Sequence, residues 1–512
     1  MLLTKKPARL TALILALSLF FPFASGIRAS GMTGGENKEA EEASETPALD
    51  AVTGLLLPRE EWKLLSVGIE NYDKGELRLN TYEVAREGKS IGTLSYEVLQ
   101  FENGDIYFYL SYESKASHEL SAYLPIMFDT FDLHRISYPE GLDETTSVME
   151  ARLNINSQSK LPKGGVFLDS DKLNAFFSYS SCYKKYKNGV VQELWDKASA
   201  LELTEDGVKI RLAGEKGTTS EFWGLMSKEK LVDWSNKAVV TDLRISDLNR
   251  VRKWRQDGIY YVLPTTYSPY VKSGFYRNNA QHIGEKYLRV NGGRFFEDFG
   301  YMALQVAKRT QNEDGYWGTQ PLSQWLYKDY GIGAGFFDTR FDTEGALFLL
   351  KGYKKYGEQA FLDGAVSFGD YYVKHALSNS AKTKNGGLLV YDYGSESTAG
   401  RVNHVSLNHQ LCGMNYLYEL YQVTGDETYL STANRLLKAV EDTMASWVRK
   451  DNGDLHYAYL KNGKYGMKDY PELTLNDLKL SQEFVSDILG EENKALAYLI
   501  NKKETYLRSL PR

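Results

Sequence analysis

The sequence predicts an α+β fold, an N-terminal antiparallel β domain followed by an (α/α) toroid-like helical domain. Three observations predict it. Apolar and polar residues alternate from about residue 52 to about 250, the apolar period becomes helical from about Gly292, and a helical-hairpin motif recurs inside the second region.

The chain of 512 residues is long enough for two or three cores. Lys5, Lys6 and Arg9 precede the apolar run "LTALILALSLFFPFA", which ends in Ala24, Ser25 and Gly26. A charged start, an apolar middle and small residues at the end are the pattern of a cleaved secretory signal over 1–26. The expected location is therefore secreted or associated with the cell envelope. No later stretch is apolar enough to cross a bilayer, so no membrane span is expected after cleavage. Residues 27–50 are acidic and free of aromatics, which predicts a disordered linker.

In the β-rich domain, 51–250, "ELRLNTYEV", "SIGTLSYEVLQF", "DIYFYLSYES" and "GVKIRLAG" alternate in polarity between the turn signals "REGKS", "ENGD" and "TEDG". A connecting segment follows over 251–291. The basic residues around its start, Arg250, Arg252, Lys253 and Arg255, are expected on a solvated face, with an anion site as the alternative. Cys182 and Cys412 fall in different regions and predict two buried thiols. A net charge of −6 argues against nucleic acid as a partner. The 37 Tyr and 8 Trp are rings with polar tips, suited both to cores and to walls against which sugars lie.

The helical domain, 292–512, carries the repeat. "YKKYGEQAFLDGA" and "YQVTGDETYLSTA" share a pattern in which Gly357 corresponds to Gly425, an offset of 425 − 357 = 68 residues. Each Gly should end a helix in a left-handed cap, with Glu358 or Asp426 starting the next and Phe361/Tyr429 and Leu362/Leu430 pinning the corner. Stacked helical hairpins gather their loops at one end, where polar residues at helix starts would line a cleft. "LNHQLCGMNYLYELY" fits this: Leu411, Met414, Leu417, Tyr418 and Tyr421 form the buried stripe, whereas Asn408, His409 and Gln410 lie in the first turn. Asn408 could equally be a helix cap, and Asn415 lies seven residues on, near the same face.

A second polar cluster surrounds "EDGYWGTQPLSQWLYKDYGIGAGFFDTRFDTEG". There Trp317, Trp325, Tyr327 and Tyr330 alternate with Arg340 and carboxylates, a composition suited to a polysaccharide groove, with Trp317 and Arg340 as candidate binding residues. Asp338 and Asp342, four apart, raise hydrolysis by two carboxylates as one alternative. The plainer alternative has Asp342 or Thr343 capping a helix and Asp338 holding Arg340.

At these residues the helical domain resembles the D-glucuronyl C5-epimerases. "FFDTRFDTEGALFLLKGYKKYGEQAFLDGA", "SLNHQLCGMNYLYELYQVTGD", "DNGDLHYAYLK" and "KDYPELTLNDLKL" are similar, in order, to segments of that family's C-terminal domain, over about the last 190 residues. The resemblance implies an active-site Asn at Asn408 and a catalytic tyrosine at Tyr470. A second catalytic tyrosine would align with Ala458, between Tyr457 and Tyr459. The family's acidic-Tyr-Pro step has no counterpart, Tyr393 and Glu396 standing in its neighbourhood, and Pro471 replaces the His after the last tyrosine. The implied activity is inversion at C5 of glucuronic acid in a polysaccharide, on an acidic polysaccharide partner and with no metal or other cofactor.

Such inversion needs a base, an opposed acid and a partner for the sugar carboxylate. The candidates are Tyr470 with Tyr457 or Tyr459 for proton handling, Tyr393 with Glu396 upstream, Asn408 on the carboxylate or a hydroxyl, and Lys461 or Arg401 for positive charge. A lyase shares the first step. An α/α-toroid glycoside hydrolase and a non-catalytic carbohydrate-binding envelope protein are the other readings, and a homodimer is left open beside a monomer.

Overall fold

The computed structural model describes residues 48–126, 131–137, 148–155, 160–204, 207–245, 253–395 and 401–510. The expected signal and most of the linker, with Arg250, Arg252 and Glu396, lie outside the described residues. All described residues belong to one compact unit. The fold is mixed α and β, a large antiparallel sheet joined to a helical region.

The sheet begins as a meander of long strands, Glu61–Tyr72, Gly75–Arg86, Lys89–Phe101 and Ile106–Ser114. Thr218–Ser227 pairs next to the last of these, followed across the sheet by Ser181–Lys185, Val190–Glu193, Gly274–Asn278, Gly258–Val262 and Lys253–Arg255, every pairing antiparallel. Residues 253–278 thus extend the same sheet.

Thr218–Ser227 is buried along its whole length because both faces of the sheet are covered. Successive side chains point to opposite faces of a strand. Phe222 and Met226 accordingly enter one core with Leu94, Tyr96 and Phe108, completed by the small sheet Leu120–Leu124, Gly207–Leu212 and Glu202–Thr204. Trp223 and Leu225 enter the other, where Trp223 stacks on Phe299 at 5.5 Å between ring centroids. That second core continues into the helices and seats them on the sheet.

Among the described residues there are ten α-helices, in chain order α1 (Lys237–Ile245), α2 (Gln281–Arg289), α3 (Arg294–Arg309), α4 (Gln324–Tyr330), α5 (Thr339–Tyr356), α6 (Gln359–Ser378), α7 (Leu407–Thr424), α8 (Glu427–Thr443), α9 (Leu473–Leu489) and α10 (Lys494–Ser509). The pairs α2/α3, α5/α6, α7/α8 and α9/α10 stack in an arc in which α5 touches α7 and α7 touches α9. None of the described helices is long and apolar enough to cross a membrane.

The repeated corner is built as its residues dictate. Gly357 and Gly425 end α5 and α7 at φ 75° and 73°, a left-handed conformation that glycine adopts without steric cost. Phe361 and Tyr429 are buried behind them, with Leu362 and Leu430 packed against the same core. Cys182 and Cys412 are both free and buried.

Candidate functional site

The N-termini of α5, α7 and α9 meet at one end of the helical region. Short antiparallel bridges tie them together. Phe337–Asp338 pairs with Tyr393–Gly394, Val405–Ser406 pairs with Ala458–Tyr459, and Arg340 of α5 reaches Asp477 of α9 at 2.6 Å.

Asp392 is the hub. Its backbone amide donates to the His404 carbonyl at 3.0 Å, and its carbonyl accepts from Thr339 N–H at 2.9 Å. Its carboxylate, fully buried, accepts from Ser406 N–H at 2.8 Å and from the Ser406 hydroxyl. The same carboxylate lies 3.2 Å from His404 Nε2 and 3.7 Å from His409 Nδ1. Burial pushes this carboxyl up, but the two imidazoles and the hydrogen bonds from His404 and Ser406 outweigh it and hold it below the usual range. Asp392 is therefore an anion without water around it.

That anion sets the tautomer of His404. Nε2–H donates to the carboxylate, so Nδ1 is an acceptor, and Tyr330 Oη lies 3.0 Å from it. The result is a chain of hydrogen bonds, Tyr330 O–H to His404 to Asp392, that ends at a half-buried phenol. Burial, then the charges of Asp329 and Asp392, raise the Tyr330 phenol, which keeps it protonated at rest.

Aromatic rings wall this phenol. Trp325, 39 % exposed, stands edge-on to Tyr330 at 5.9 Å and to Tyr393 at 6.1 Å. Tyr393 also faces His404 at 5.5 Å and His409 at 6.1 Å. Across the group, Tyr457 lies 6.3 Å from His404 and packs edge-on against Tyr470 at 5.7 Å. Tyr470 is 52 % exposed, at the solvent side. Tyr276 of the large sheet and Tyr267, on a short strand paired with Leu322–Ser323, are half-buried, and burial first, then other groups including the charge of Asp338, raise both phenols.

The structure thus brings Tyr393, Tyr457 and Tyr470 together and separates them from Tyr459. The Tyr459 ring packs on Tyr465 at 5.3 Å, against the helical core. Ala458, where the resemblance implies a tyrosine, is completely buried. Arg401 sits at the rim, its Nη1 donating to the carbonyls of Gly331 at 2.8 Å and Tyr330 at 3.3 Å, so its charge lies beside the relay. Lys461 is exposed in the turn between strands His456–Tyr459 and Tyr465–Lys468. Asn408 is buried inside α7; its carbonyl accepts from Arg340 at 3.0 Å and its Oδ1 has no hydrogen-bond partner. The capping position of that helix belongs to Ser406.

Three expectations need correction. Trp317 is a core residue, nine-tenths buried, its indole N–H donating to the Ala307 carbonyl at 2.8 Å while its ring packs near Phe368. Arg340 is locked by Glu344, Asp477 and the Asn408 carbonyl, so its guanidinium braces three helices. Arg255, expected on a solvated face, is buried against Glu221 because the strand carrying it extends the sheet.

The carboxylates Asp338 and Asp342 also have settled duties. Asp338 caps α5 by accepting from Arg340 N–H and Phe341 N–H, and Asp342 accepts from Trp317 N–H at 2.6 Å and Asp338 N–H at 2.9 Å. Among the described residues, no group of three His, Cys, Asp or Glu side chains is placed to hold a metal ion.

Sequence reasoning passed over Asp392 and His404. A signal existed: "NHVSLNH" repeats Asn-His across the start of α7, at 403–404 and 408–409. It went unused because the two imidazoles lie on different elements, a strand approach and a helix, whose relative placement no local period gives.

No family model and no curated protein matches this chain. Among solved structures it is similar to a cellobiose 2-epimerase from Bacillus thermoamylovorans B4167, at 12% identity over 54% of this chain and 71% of that one, with a TM-score of 0.40. A D-mannose isomerase gives 12% identity over 45% and 71%, TM-score 0.31. An unsaturated glucuronyl hydrolase specific for heparin gives 12% over 44% and 58%, TM-score 0.30. Values this low do not bear on activity.

Proposed function

We propose that this protein is a carbohydrate-modifying enzyme that moves a proton at a sugar carbon, and in its finer form that it epimerises C5 of glucuronic acid residues in a polysaccharide. The observation that carries the reading is the hydrogen-bonded chain Tyr330–His404–Asp392, opening beside Trp325 and facing the Tyr457–Tyr470 pair. A phenol is too weak an acid to lose its proton unaided near neutral pH. Here the proton has somewhere to go. When Tyr330 Oη takes a proton from carbon, its own passes to His404 Nδ1, and the resulting imidazolium is held by the buried Asp392 anion.

Inversion then requires a proton from the other face, and Tyr470 with Tyr457 supplies phenols there, the first open to solvent for re-protonation. A uronate loses a C5 proton only if its carboxylate is neutralised as charge moves onto it. Arg401, bonded to the carbonyls of Gly331 and Tyr330, takes that role. Trp325 provides the apolar face on which a sugar ring lies. Tyr459, Trp317 and Arg340 drop out of the substrate contacts, and Asn408 acts by holding Arg340.

The two-carboxylate hydrolase reading is weaker, since Asp338 and Asp342 already accept backbone amides. Incubating the protein with glucuronate-containing polymers in deuterated water tests the proposal. Deuterium should accumulate at C5, and Tyr330→Phe should lower the rate by about 10²-fold or more. An unsaturated uronate product would redirect the reading to a lyase, new reducing ends to a hydrolase. Full exchange by Tyr330→Phe would remove the relay from the mechanism.

A further inference from the structure

A polar hollow of about 330 Å³ lies on the sheet and shares none of the residues gathered around His404. Its floor is built of buried groups. Arg255 and Glu221 are both more than nine-tenths buried, with Nη2 of the first 2.8 Å from Oε2 of the second. The guanidinium is sandwiched between two rings, 3.4 Å from the centroid of Tyr183 and 4.7 Å from that of Tyr260. Tyr183 O–H donates to Glu221, and Tyr260 O–H donates to Asp257 Oδ2 at 3.1 Å. Ser95, Ser111, Tyr186, Gln256 and Gln320 complete the lining.

The guanidinium thus lies in the floor, bonded to Glu221 and covered by the Tyr183 and Tyr260 rings. The exposed rim carries the ion pair Lys185–Glu113. Both cations lining the hollow are therefore already held by an acidic partner, so a ligand carboxylate would have to displace one of them. Hydroxyls, the Gln320 amide, a carboxylate oxygen of Asp257 and the Tyr186 ring remain to meet a ligand. They suit a molecule that both donates and accepts hydrogen bonds, bears no net charge and has one apolar face.

We propose that this hollow binds a neutral sugar unit, a second saccharide site built into the sheet and separate from the proton-transfer cluster. It does not rest on the chemistry proposed for that cluster. Asp257 and Gln320 take sugar hydroxyls, and Tyr186 stacks on the ring face.

The full chain is titrated by calorimetry with cellobiose, maltotriose and a glucuronate-containing disaccharide. At least one neutral saccharide should bind saturably and more tightly than the uronate. Asp257→Asn and Tyr186→Ala should each weaken it ten-fold or more with an unchanged circular dichroism spectrum, and Gln320→Ala, an exposed rim change, should weaken it several-fold should either of those variants fail to fold. Binding of no neutral saccharide, binding that these variants leave unaltered, or tighter binding of the uronate overturns the proposal. Isotope exchange at C5 is scored on the same preparations, so failure of one proposal is distinguishable from failure of the other.

Discussion

Replacing Lys503 by Met is expected to be among the most damaging single changes outside the candidate site. Lys503 lies on α10 and is fully buried, its Nζ 2.7 Å from Asp454 Oδ1 and 2.8 Å from Asp469 Oδ2. Asp454 stands just before strand His456–Tyr459 and Asp469 just after strand Tyr465–Lys468, so one ammonium clamps both feet of the hairpin. That hairpin carries Tyr457, and Tyr470 follows Asp469 directly. Burial pushes the Asp469 carboxyl up, while Lys503 and the Thr474 hydroxyl, 2.7 Å away, pull it back.

Lys503→Met leaves two carboxylates in a dry site with no cation between them. Removing one partner of a buried ion pair costs about 3–5 kcal/mol, and the second stranded carboxylate places this case toward the upper end. Against a total stability of about 5–15 kcal/mol, that is a large share. The assay is denaturant unfolding followed by tryptophan fluorescence, with Trp447 buried beside the hairpin residue Tyr465 as a local reporter. The triple variant with Asp454→Asn and Asp469→Asn should recover much of the loss, because the stranded charges are then gone. A loss below about 1 kcal/mol in Lys503→Met, or a triple variant less stable than the single one, would refute the reasoning.

Stability should also fall in acid through His375. Burial lowers this imidazole to about 4, with Nε2–H donating to the Tyr391 carbonyl at 2.9 Å. The unfolded chain takes up the proton first, so the contribution is whole above about pH 6.5 and is lost as pH falls toward 4, about 3 kcal/mol in all. His375→Gln should flatten that part of the pH–stability curve, and an unchanged slope would show the titration lies elsewhere. Asp392→Asn keeps the shape of the relay but removes the anion that holds an imidazolium. We expect deuterium exchange at the sugar carbon to drop about 10²-fold or more, with the pH profile of the residual activity displaced; an unaltered rate would separate Asp392 from the chemistry. Gly413→Ala should lower stability by about 1–3 kcal/mol, since the added Cβ would sit 1.9 Å from the buried Tyr372 Oη. A melting temperature within a degree of the parent would mean that the ring yields freely.

Much of the scaffold was legible in the order of residues. The alternation in "GVKIRLAG" and "DIYFYLSYES" gave strands because side chains two apart share a face, and the Gly357 and Gly425 corners gave helix ends because few other residues tolerate positive φ. These are short-range rules, satisfied within a turn of helix or a pair of strands. The polar first turn at Asn408–Gln410 was expected to line a cleft, whereas in α7 those three side chains are buried.

The site obeys a different rule. Tyr330, His404 and Asp392 come from a helix end, a strand approach and an extended segment, and the phenol and imidazole that share a hydrogen bond are 74 residues apart in the chain. Their meeting depends on how α5, α7 and α9 pack and on the bridges that tie Asp338 to Tyr393 and Ser406 to Ala458. The same packing buried Trp317 and Arg255, whose side-chain chemistry alone suits an open surface as well as a core. Sequence by itself determined which stretches become strands and helices and where they stop, because those choices are settled by neighbours along the chain. Only the tertiary structure decided which polar groups lose their water together, because desolvation is a property of the surfaces that close over them.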